Sequence, residues 1–334
     1  MSVKIAINGF GRIGRSILRA VFENSISDFE VVAINDLAPI ETLAHLLRYD
    51  SIHGRFNHKV ETSKEGLIIN DKLIRATSIR VPSELPWTDV DIALECTGLF
   101  CDRAKASMLL EAGAKRVLIS APGNGVDKTI VYGVNHQILT QDDLVVSNGS
   151  CTTNCLAPIA KVLNDLVGIE TGYMTTIHAY TGDQPTHDVE HKDLYRGRAA
   201  AMSMIPTTTG AAKAISLVLP ELEGRIDGSA IRVPTPNVSL IDLTFMPAKK
   251  TTVAEIDNAM LEASTGSLKN VLAFDDAPKV SIDFNHTCTS SNYAQPQTVI
   301  TEGGMVRVVS WYDNEWGFAN RMIDTAQVMA ERFK

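Results

Sequence analysis

A short apolar strand runs directly into three spaced glycines in the stretch Val3-Lys4-Ile5-Ala6-Ile7-Asn8-Gly9-Phe10-Gly11-Arg12-Ile13-Gly14. The glycines match the pattern G-x-G-x-x-G, and apolar residues at helical spacing follow them. In this context the first glycine permits a tight turn, the second lets backbone approach a pyrophosphate, and the third lets helix and strand pack closely. The stretch predicts the first strand–helix unit of a dinucleotide-binding fold.

An acidic residue stands where such a fold holds a ribose. Asp36 closes a second predicted strand, roughly 20 residues after Gly14, which is the usual spacing. A carboxylate accepts hydrogen bonds from ribose hydroxyls and repels a 2′-phosphate. No arginine follows to reverse this preference, because Leu37 and Ala38 come next. The cofactor indicated is therefore NAD rather than NADP.

The pattern of strands and helices changes near residue 150. Before it, strands and helices alternate, as they do around a parallel sheet covered on both faces. After it, longer strands are predicted at 172–180, 228–232, 238–245, 279–285 and 305–312, with helices at 210–218, 253–264 and 318–333. The predicted fold is α/β. It has a Rossmann-type doubly wound parallel sheet domain and an α+β domain with a mixed or antiparallel sheet.

Length and composition limit the function. The chain has 334 residues, which suggests two domains, and its net charge of −8 argues against nonspecific nucleic-acid binding. Its apolar runs are too short to span a membrane. Five cysteines without a framework spacing favour a reducing, cytoplasmic environment.

A cysteine among hydroxyl residues is the first candidate for chemistry. The stretch Ser147-Asn148-Gly149-Ser150-Cys151-Thr152-Thr153-Asn154-Cys155 joins an apolar strand to a helical pattern. Cys151 is therefore expected at or just before a helix N-terminus, where the helix dipole favours the thiolate. The alternative is a buried structural cysteine, which is the commoner role.

A histidine is the candidate partner of Cys151. His178 lies at the end of a predicted strand and leads into a long polar segment, 179–206, of the kind that is usually functional. An imidazole beside the cysteine would activate it, although a structural histidine is the alternative. Cys151 and Cys155 share a helix face, but no further Cys/His pair completes a zinc site, so no metal is expected.

Several further motifs resemble the phosphorylating, NAD-dependent glyceraldehyde-3-phosphate dehydrogenase family of bacterial type over essentially the whole chain. Besides the glycine stretch and the cysteine stretch, the matches are Asn35-Asp36, Glu95-Cys96-Thr97-Gly98, His178-Ala179-Tyr180-Thr181, Thr209-Gly210-Ala211-Ala212-Lys213, Arg232-Val233-Pro234-Thr235 and Trp311-Tyr312-Asp313-Asn314-Glu315-Trp316-Gly317. The resemblance implies oxidation of D-glyceraldehyde 3-phosphate to 1,3-bisphosphoglycerate with NAD and inorganic phosphate, in glycolysis or gluconeogenesis.

The resemblance also implies roles for single residues. Cys151 forms the hemithioacetal and thioester, and His178 is the base. Cofactor-binding positions are Gly9, Gly11, Arg12, Ile13, Gly14, Asp36, Arg80, Thr97, Ser120 and Asn314. Substrate-phosphate and inorganic-phosphate positions are Ser150, Thr152, Thr181, Arg196, Thr209, Gly210 and Arg232. Arg198 is the alternative to Arg196, because the alignment of loops can slip.

The resemblance divides the chain into an NAD-binding domain over 1–150, with a C-terminal helix over 315–334 packing back on it, and a catalytic domain over 151–314. It implies a cytoplasmic homotetramer in which the 179–206 segment lies against a neighbour's cofactor.

Two other activities fit parts of the pattern. An erythrose-4-phosphate dehydrogenase shares the cysteine motif, but the residues after His178 and around Thr209 follow the glyceraldehyde pattern. A hydrolase using Cys151, His178 and Asn314 leaves the glycine fingerprint and Asp36 unexplained.

Overall fold

The two predicted halves of the chain are built around two different sheets. A computed structural model describes residues 2–332, which form two compact units. The first unit contains the residues through Ile130, His136–Gly149 and those from Ala319 onward. The second unit contains Val131–Asn135 and Ser150–Phe318. Residues 333 and 334, at the end of the predicted C-terminal helix, lie outside the described residues.

The first unit alternates short strands with helices. Its strands are β1 (Val3–Asn8), β2 (Phe29–Asn35), β3 (Tyr49–Asp50), β4 (Gly54–Arg55), β5 (Val60–Thr62), β6 (Gly66–Ile69), β7 (Lys72–Thr77), β8 (Ile92–Glu95), β9 (Arg116–Ile119), β10 (Lys128–Thr129) and β11 (Val145–Ser147). Its helices are α1 (Arg12–Glu23), α2 (Ile40–Arg48), α3 (Arg103–Ala106), α4 (Met108–Glu111) and most of the last helix of the chain.

The sheet of the first unit has nine strands in the order β10-β11-β9-β8-β1-β2-β7-β6-β5. Pairing is parallel from β10 through β7, and the β5–β7 edge is antiparallel. Strands β8 and β11 are buried along their whole length, as expected where helices cover both faces. The doubly wound parallel domain predicted from the sequence is confirmed, and the antiparallel edge is an addition to it.

The second unit contains a long helix, followed by a sheet whose main strands are longer than those of the first unit. Its helices are α5 (Cys151–Val167), α6 (Ala211–Val218) and α7 (Val253–Thr265), and α8 (Trp316–Glu331) starts at its end. Its strands are β12 (Ile169–Ala179), β13 (Ile205–Thr208), β14 (Ile226–Val233), β15 (Ser239–Pro247), β16 (Leu272–Asp275), β17 (Ser291–Ala294), β18 (Val299–Ile300) and β19 (Val306–Tyr312).

The sheet of the second unit is mixed, as predicted. Its order is β13-β14-β12-β15-β19-β17-β16, with β18 also paired to β19. The β12–β14 and β16–β17 pairs are parallel and the others are antiparallel. Helix α5 buries Leu156, Ile159 and Leu163 in one apolar core with the sheet residues Met174 and Ile241. This packing fixes where the N-terminus of α5 lies relative to β12.

One predicted strand is replaced by a different element in the structure. The strand predicted at 279–285 is wrong, because Ser281–Phe284 form a turn of 3-10 helix. The carboxylate of Asp283 accepts from the Val280 backbone N–H at 2.8 Å, and this local bond closes the turn. Val280 and Ile282, which suggested a buried strand face, are instead exposed.

Candidate active site

Cys151 is the first residue of α5, and Ser150 is the N-cap. The Ser150 hydroxyl accepts from the Thr153 backbone N–H at 3.0 Å, which satisfies one of the free donors of the helix end. The backbone before Cys151 is extended, so the helix begins abruptly at the cysteine. The structure therefore places the thiol at a helix N-terminus, as the sequence predicted.

His178 lies beside Cys151. It is the penultimate residue of β12, and its Nε2 is 3.6 Å from the Cys151 Sγ. Its Nδ1 is 2.7 Å from the carbonyl oxygen of Ala179, which can only accept a hydrogen bond. We assign the ring proton to Nδ1 on this shorter contact, whereas the Arg232 Nη1, a donor 2.9 Å from the same nitrogen, favours the opposite tautomer. With the proton on Nδ1, Nε2 keeps a lone pair facing the thiol.

Arg232 is the nearest cation to this pair. It lies on β14, directly opposite His178 in the parallel β12–β14 register. Its Nη1 donates to the Ala179 carbonyl at 3.0 Å and is 2.9 Å from the His178 Nδ1. The guanidinium supplies positive charge next to both reactive side chains.

Burial governs the titration of the pair. Burial, and after it the charge of Arg232, lower the pKa of His178 to about 3, while the bond to the Ala179 carbonyl opposes both. Burial also raises the pKa of the Cys151 thiol, against the lowering effects of Arg232 and of the Thr152 hydroxyl and N–H. The helix end was expected to favour the thiolate, and burial, which is the largest influence on the pKa of Cys151, opposes that. Proton transfer from Sγ to Nε2 creates both charges together, and each stabilises the other.

Sequence reasoning missed Tyr312 at this site. Its hydroxyl lies 2.8 Å from the Thr152 Oγ1 and 3.0 Å from the Thr176 Oγ1, and its ring meets the His178 ring edge-on with centroids 5.9 Å apart. The side chain is buried. A signal was present, because Tyr312 stands two residues before Asn314 in a quoted motif and at the end of a predicted strand.

Arg196 and Arg198 are the two alternatives for one anion-binding position. Arg196 donates from Nε to the Thr207 Oγ1 at 3.0 Å and pairs with Asp183 at 2.9 Å. Its charge acts on both His178 and Arg232. Arg198 instead pairs with the exposed Asp188. The structure thus brings Arg196, and not Arg198, into electrostatic range of His178.

The other candidate anion-binding residues lie in turns and at helix starts. Gly210 is the N-cap of α6, and the Thr209 Oγ1 accepts from the Ala211 backbone N–H at 3.2 Å. The hydroxyls of Ser150 and Thr153 are 2.8 Å apart at the start of α5. Thr181 is half-buried just after β12. These positions offer hydroxyls and free helix-end N–H groups, both of which bind anions.

The glycine loop has the shape that a dinucleotide needs. Gly9 has a φ of +91°, and a Cβ there would come within 2.7 Å of the Thr97 nitrogen. A Cβ on Gly14 would overlap the Gly9 carbonyl, whereas one on Gly11 would meet nothing within 4 Å. Two glycines therefore permit close backbone packing, and Gly11 leaves open space where a pyrophosphate would approach. The residues present fit NAD.

Asp36 is positioned by the same loop. Its carboxylate accepts from the Phe10 N–H at 2.8 Å and from the Ala38 N–H at 3.0 Å. The side chain is only half-buried, so it retains capacity to accept from a ribose. This geometry agrees with the predicted preference for NAD.

The remaining predicted cofactor positions of the first unit differ in their surroundings. Arg12 forms an ion pair with Asp50 at 2.5 Å, and Arg80 is exposed. Thr97 binds the buried carboxylate of Glu95 through both its N–H and its hydroxyl. Ser120 and Ile13 are half-buried, and the Ser120 N–H donates to the Glu95 carbonyl at 2.9 Å.

Comparison with known proteins identifies the family. Residues 3–103 match the model described as the glyceraldehyde 3-phosphate dehydrogenase NAD binding domain, and residues 150–314 match that family's C-terminal domain. The chain belongs to the glyceraldehyde 3-phosphate dehydrogenase family. The resemblance found in the sequence is thereby confirmed, and NAD is the cofactor of the family's N-terminal domain.

Relatives of this family match nearly the full chain. A glyceraldehyde-3-phosphate dehydrogenase of Xanthobacter flavus is 63% identical over 333 residues, covering 99% of each chain. One from Cereibacter sphaeroides is 62% identical over 329 residues, covering 98% of this chain and 99% of its own. The plasmid-encoded form of Cupriavidus necator is 54% identical over 334 residues and covers 99% of each chain.

Two kinds of feature are absent from the part of the chain that the structure describes. Within residues 2–332 there is no group of three or more His, Cys, Asp or Glu side chains placed to hold a metal ion. None of the helices in that part of the chain is long and apolar enough to cross a membrane.

Proposed function

We propose that this chain oxidises D-glyceraldehyde 3-phosphate to 1,3-bisphosphoglycerate, using NAD and inorganic phosphate, with Cys151 as nucleophile and His178 as base. The observation that supports this most directly is the 3.6 Å approach of Sγ to the His178 Nε2, on a ring whose Nδ1 lies 2.7 Å from the Ala179 carbonyl oxygen. The thiol has a base within reach, and the base has an orienting group, which is the arrangement that nucleophilic catalysis requires.

In the proposed reaction, His178 moves the proton at each step while Cys151 forms and then breaks a covalent bond to the substrate. Sγ attacks the aldehyde carbon, and its proton passes through Nε2 to the former carbonyl oxygen, giving a hemithioacetal. Nε2 then takes the hydroxyl proton while the C–H hydrogen leaves with its electron pair as a hydride, for which NAD would be the acceptor, and a thioester is left on Cys151. A phosphate oxygen attacks the thioester carbon, the C–S bond breaks, and the thiolate recovers its proton from His178.

The positive and polar groups around the pair are assigned to charge stabilisation. The backbone N–H of Cys151, at the free end of α5, is available to the developing oxyanion. Arg232 and Thr181 are assigned to the substrate phosphate. Ser150, Thr152, Arg196, Thr209 and Gly210 are assigned to inorganic phosphate, which the placement of Arg196 beside Thr207 and Thr208 supports.

NAD, when bound, accepts the hydride. The residues assigned to hold it are Gly9, Gly11, Arg12, Ile13, Gly14, Asp36, Arg80, Thr97, Ser120 and Asn314. Cofactor binding is assigned to residues 1–150 with the helix over 315–334, and catalysis to 151–314. The extents of the two family matches and of the two compact units support this division.

We also propose a cytoplasmic homotetramer. The 179–206 segment exposes Val189, Leu194, Tyr195, Met202 and Met204, which is an unusual apolar surface for one loop. Burial against a neighbouring subunit would account for it, and light scattering tests the assembly. The cysteines at 96, 101, 151, 155 and 288 are all free thiols, which supports a reducing compartment.

The test is NADH formation by the purified chain. Absorbance should rise only when glyceraldehyde 3-phosphate and inorganic phosphate are both present. The Cys151→Ser variant should lose this activity and still bind NAD. Much faster turnover of erythrose 4-phosphate would favour the related dehydrogenase instead. Hydrolysis without NAD would favour a cysteine hydrolase, and retained turnover in the variant would remove Cys151 from the mechanism.

A further inference from the structure

Ser239 is a buried hydroxyl that joins two candidate site residues. It is the first residue of β15 and is 1% exposed. Its Oγ is 3.0 Å from the backbone nitrogen of Ala179, the residue after His178. The same Oγ is 2.9 Å from the Oδ1 of Asn314. One serine therefore touches both the strand end that carries the base and the amide assigned to the cofactor.

The direction of these two hydrogen bonds is fixed by the chemistry of the partners. The Ala179 N–H can only donate, so the Ser239 oxygen accepts from it. The serine proton then needs an acceptor in this buried site, and the Asn314 Oδ1 supplies it. The Asn314 amide is thus oriented with its oxygen toward Ser239 and its NH2 group away from it.

The NH2 group of Asn314 is left free by this arrangement. Among residues 2–332 no group accepts a hydrogen bond from the Asn314 Nδ2, although the residue is 5% exposed. The Asn314 Nδ2 is not among the fully buried side-chain atoms that lack a partner, so it keeps accessible surface and a ligand that presents an acceptor can reach it.

The backbone on either side of Asn314 is rigid. The Asp313 carboxylate accepts from the Glu315 N–H at 2.9 Å, the Trp316 N–H at 2.7 Å and the His286 N–H at 2.6 Å. Because the backbone is held by Asp313, rotation of the Asn314 side chain is the remaining freedom, and the Ser239 hydroxyl restricts it.

We propose, building on the function proposed above, that Ser239 is a positioning residue which orients the Asn314 amide so that Nδ2 donates to the carboxamide oxygen of nicotinamide. Its bond to the Ala179 N–H ties that orientation to the strand end that carries His178. Ser239 acts through Asn314 and does not itself touch the cofactor. Its removal therefore weakens recognition of the nicotinamide half of NAD and leaves the ADP-ribose half unaffected.

The experiment compares equilibrium binding of NAD and of ADP-ribose, which lacks nicotinamide, to the full chain and its Ser239→Ala variant. The variant should bind NAD about five- to tenfold more weakly, because the loss corresponds to one net hydrogen bond. Its affinity for ADP-ribose should stay within about twofold of that of the original chain. Ser310→Ala is the matched control. It removes another fully buried hydroxyl of the same sheet, bonded to Ser291 rather than to Asn314, and should change neither affinity.

A double-mutant cycle separates positioning from a structural effect. Asn314→Ala should lower the affinity for NAD and leave the affinity for ADP-ribose unchanged. The double variant with Ser239→Ala should then have the same ratio of NAD affinity to ADP-ribose affinity as Asn314→Ala alone. Equal weakening of both ligands by Ser239→Ala, or an additive loss in the double variant, would overturn the proposal. An unchanged ratio in Asn314→Ala would overturn it as well. Failure of the unmodified chain to form NADH would count against the proposed function alone, because the binding comparison does not depend on turnover.

Discussion

Replacing His178 with asparagine tests how the thiol is activated. Sγ and Nε2 are 3.6 Å apart, so a thiolate and an imidazolium there attract each other by about 4–5 kcal/mol at an effective dielectric of about 20. That attraction corresponds to a factor of about a thousand in the population of the ion pair. Without it, burial raises the pKa of the Cys151 thiol against Arg232, the Thr152 groups and the backbone N–H of Cys151.

The assay is the rate of Cys151 alkylation by iodoacetamide as a function of pH, followed by mass spectrometry of the peptide that contains Cys151. A thiolate of higher pKa is intrinsically more nucleophilic, which recovers part of the lost rate. The expected result is a fall of about ten- to hundredfold at neutral pH and a rate profile displaced toward alkaline pH. Cys288, which is exposed, serves as the internal control and should react at the same rate in both proteins. Unchanged alkylation of Cys151 in His178→Asn at neutral pH would refute the account of an activated pair.

Three further outcomes follow from the structure. Asp36→Asn removes the charge that repels a 2′-phosphate and keeps an accepting oxygen. The ratio of kcat/KM for NADP to kcat/KM for NAD should therefore rise by about tenfold or more. An unchanged ratio would mean that Asp36 does not set the preference for NAD. Tyr312→Phe deletes the hydroxyl that contacts the hydroxyls of Thr152 and Thr176. The KM for inorganic phosphate should therefore rise about three- to tenfold while the affinity for NAD stays constant. An unchanged KM for phosphate would contradict the role assigned to Thr152. Because burial lowers the pKa of His178 from 6.5 to about 3, the unfolded chain binds a proton between these values that the native chain does not, and stability falls as pH drops through that window. Denaturant titrations should therefore show a shallower acid loss of stability in His178→Asn than in the original chain, and parallel losses would contradict the neutral, buried histidine.

The nucleotide half of the molecule was predictable because its signals are local. Strand β1, the glycine turn and the start of α1 are contiguous, and Asp36 follows at the usual interval. The antiparallel edge formed by β5, β6 and β7 was not predicted, although the β6–β7 hairpin carries a turn signal in Asn70-Asp71, both of which have positive φ. The strand expected at 279–285 failed for a local reason, since the Asp283 side chain competes for the Val280 N–H.

The catalytic half was predictable in its residues and less so in its geometry. The sequence indicates that Cys151 begins a helix and that His178 ends a strand. Their approach depends on the packing of α5 against β12 and on the register that sets Arg232 opposite His178, which are long-range features. Ser239 is linked to the site only through such contacts, so no spacing in the chain reveals it, whereas Tyr312 stands inside a quoted motif and its contacts were not foreseen. The pKa of Cys151 was expected to fall from its helix position, and burial, which the sequence does not show, opposes that.

Acylation of Cys151 is the most direct measurement of the central claim. The protein is mixed with NAD and glyceraldehyde 3-phosphate without inorganic phosphate, quenched in acid and examined by mass spectrometry. The account predicts one NADH per active site and a phosphoglyceryl thioester on Cys151 that disappears when phosphate is added. Continued NADH formation without phosphate, or an adduct on another residue, would contradict it.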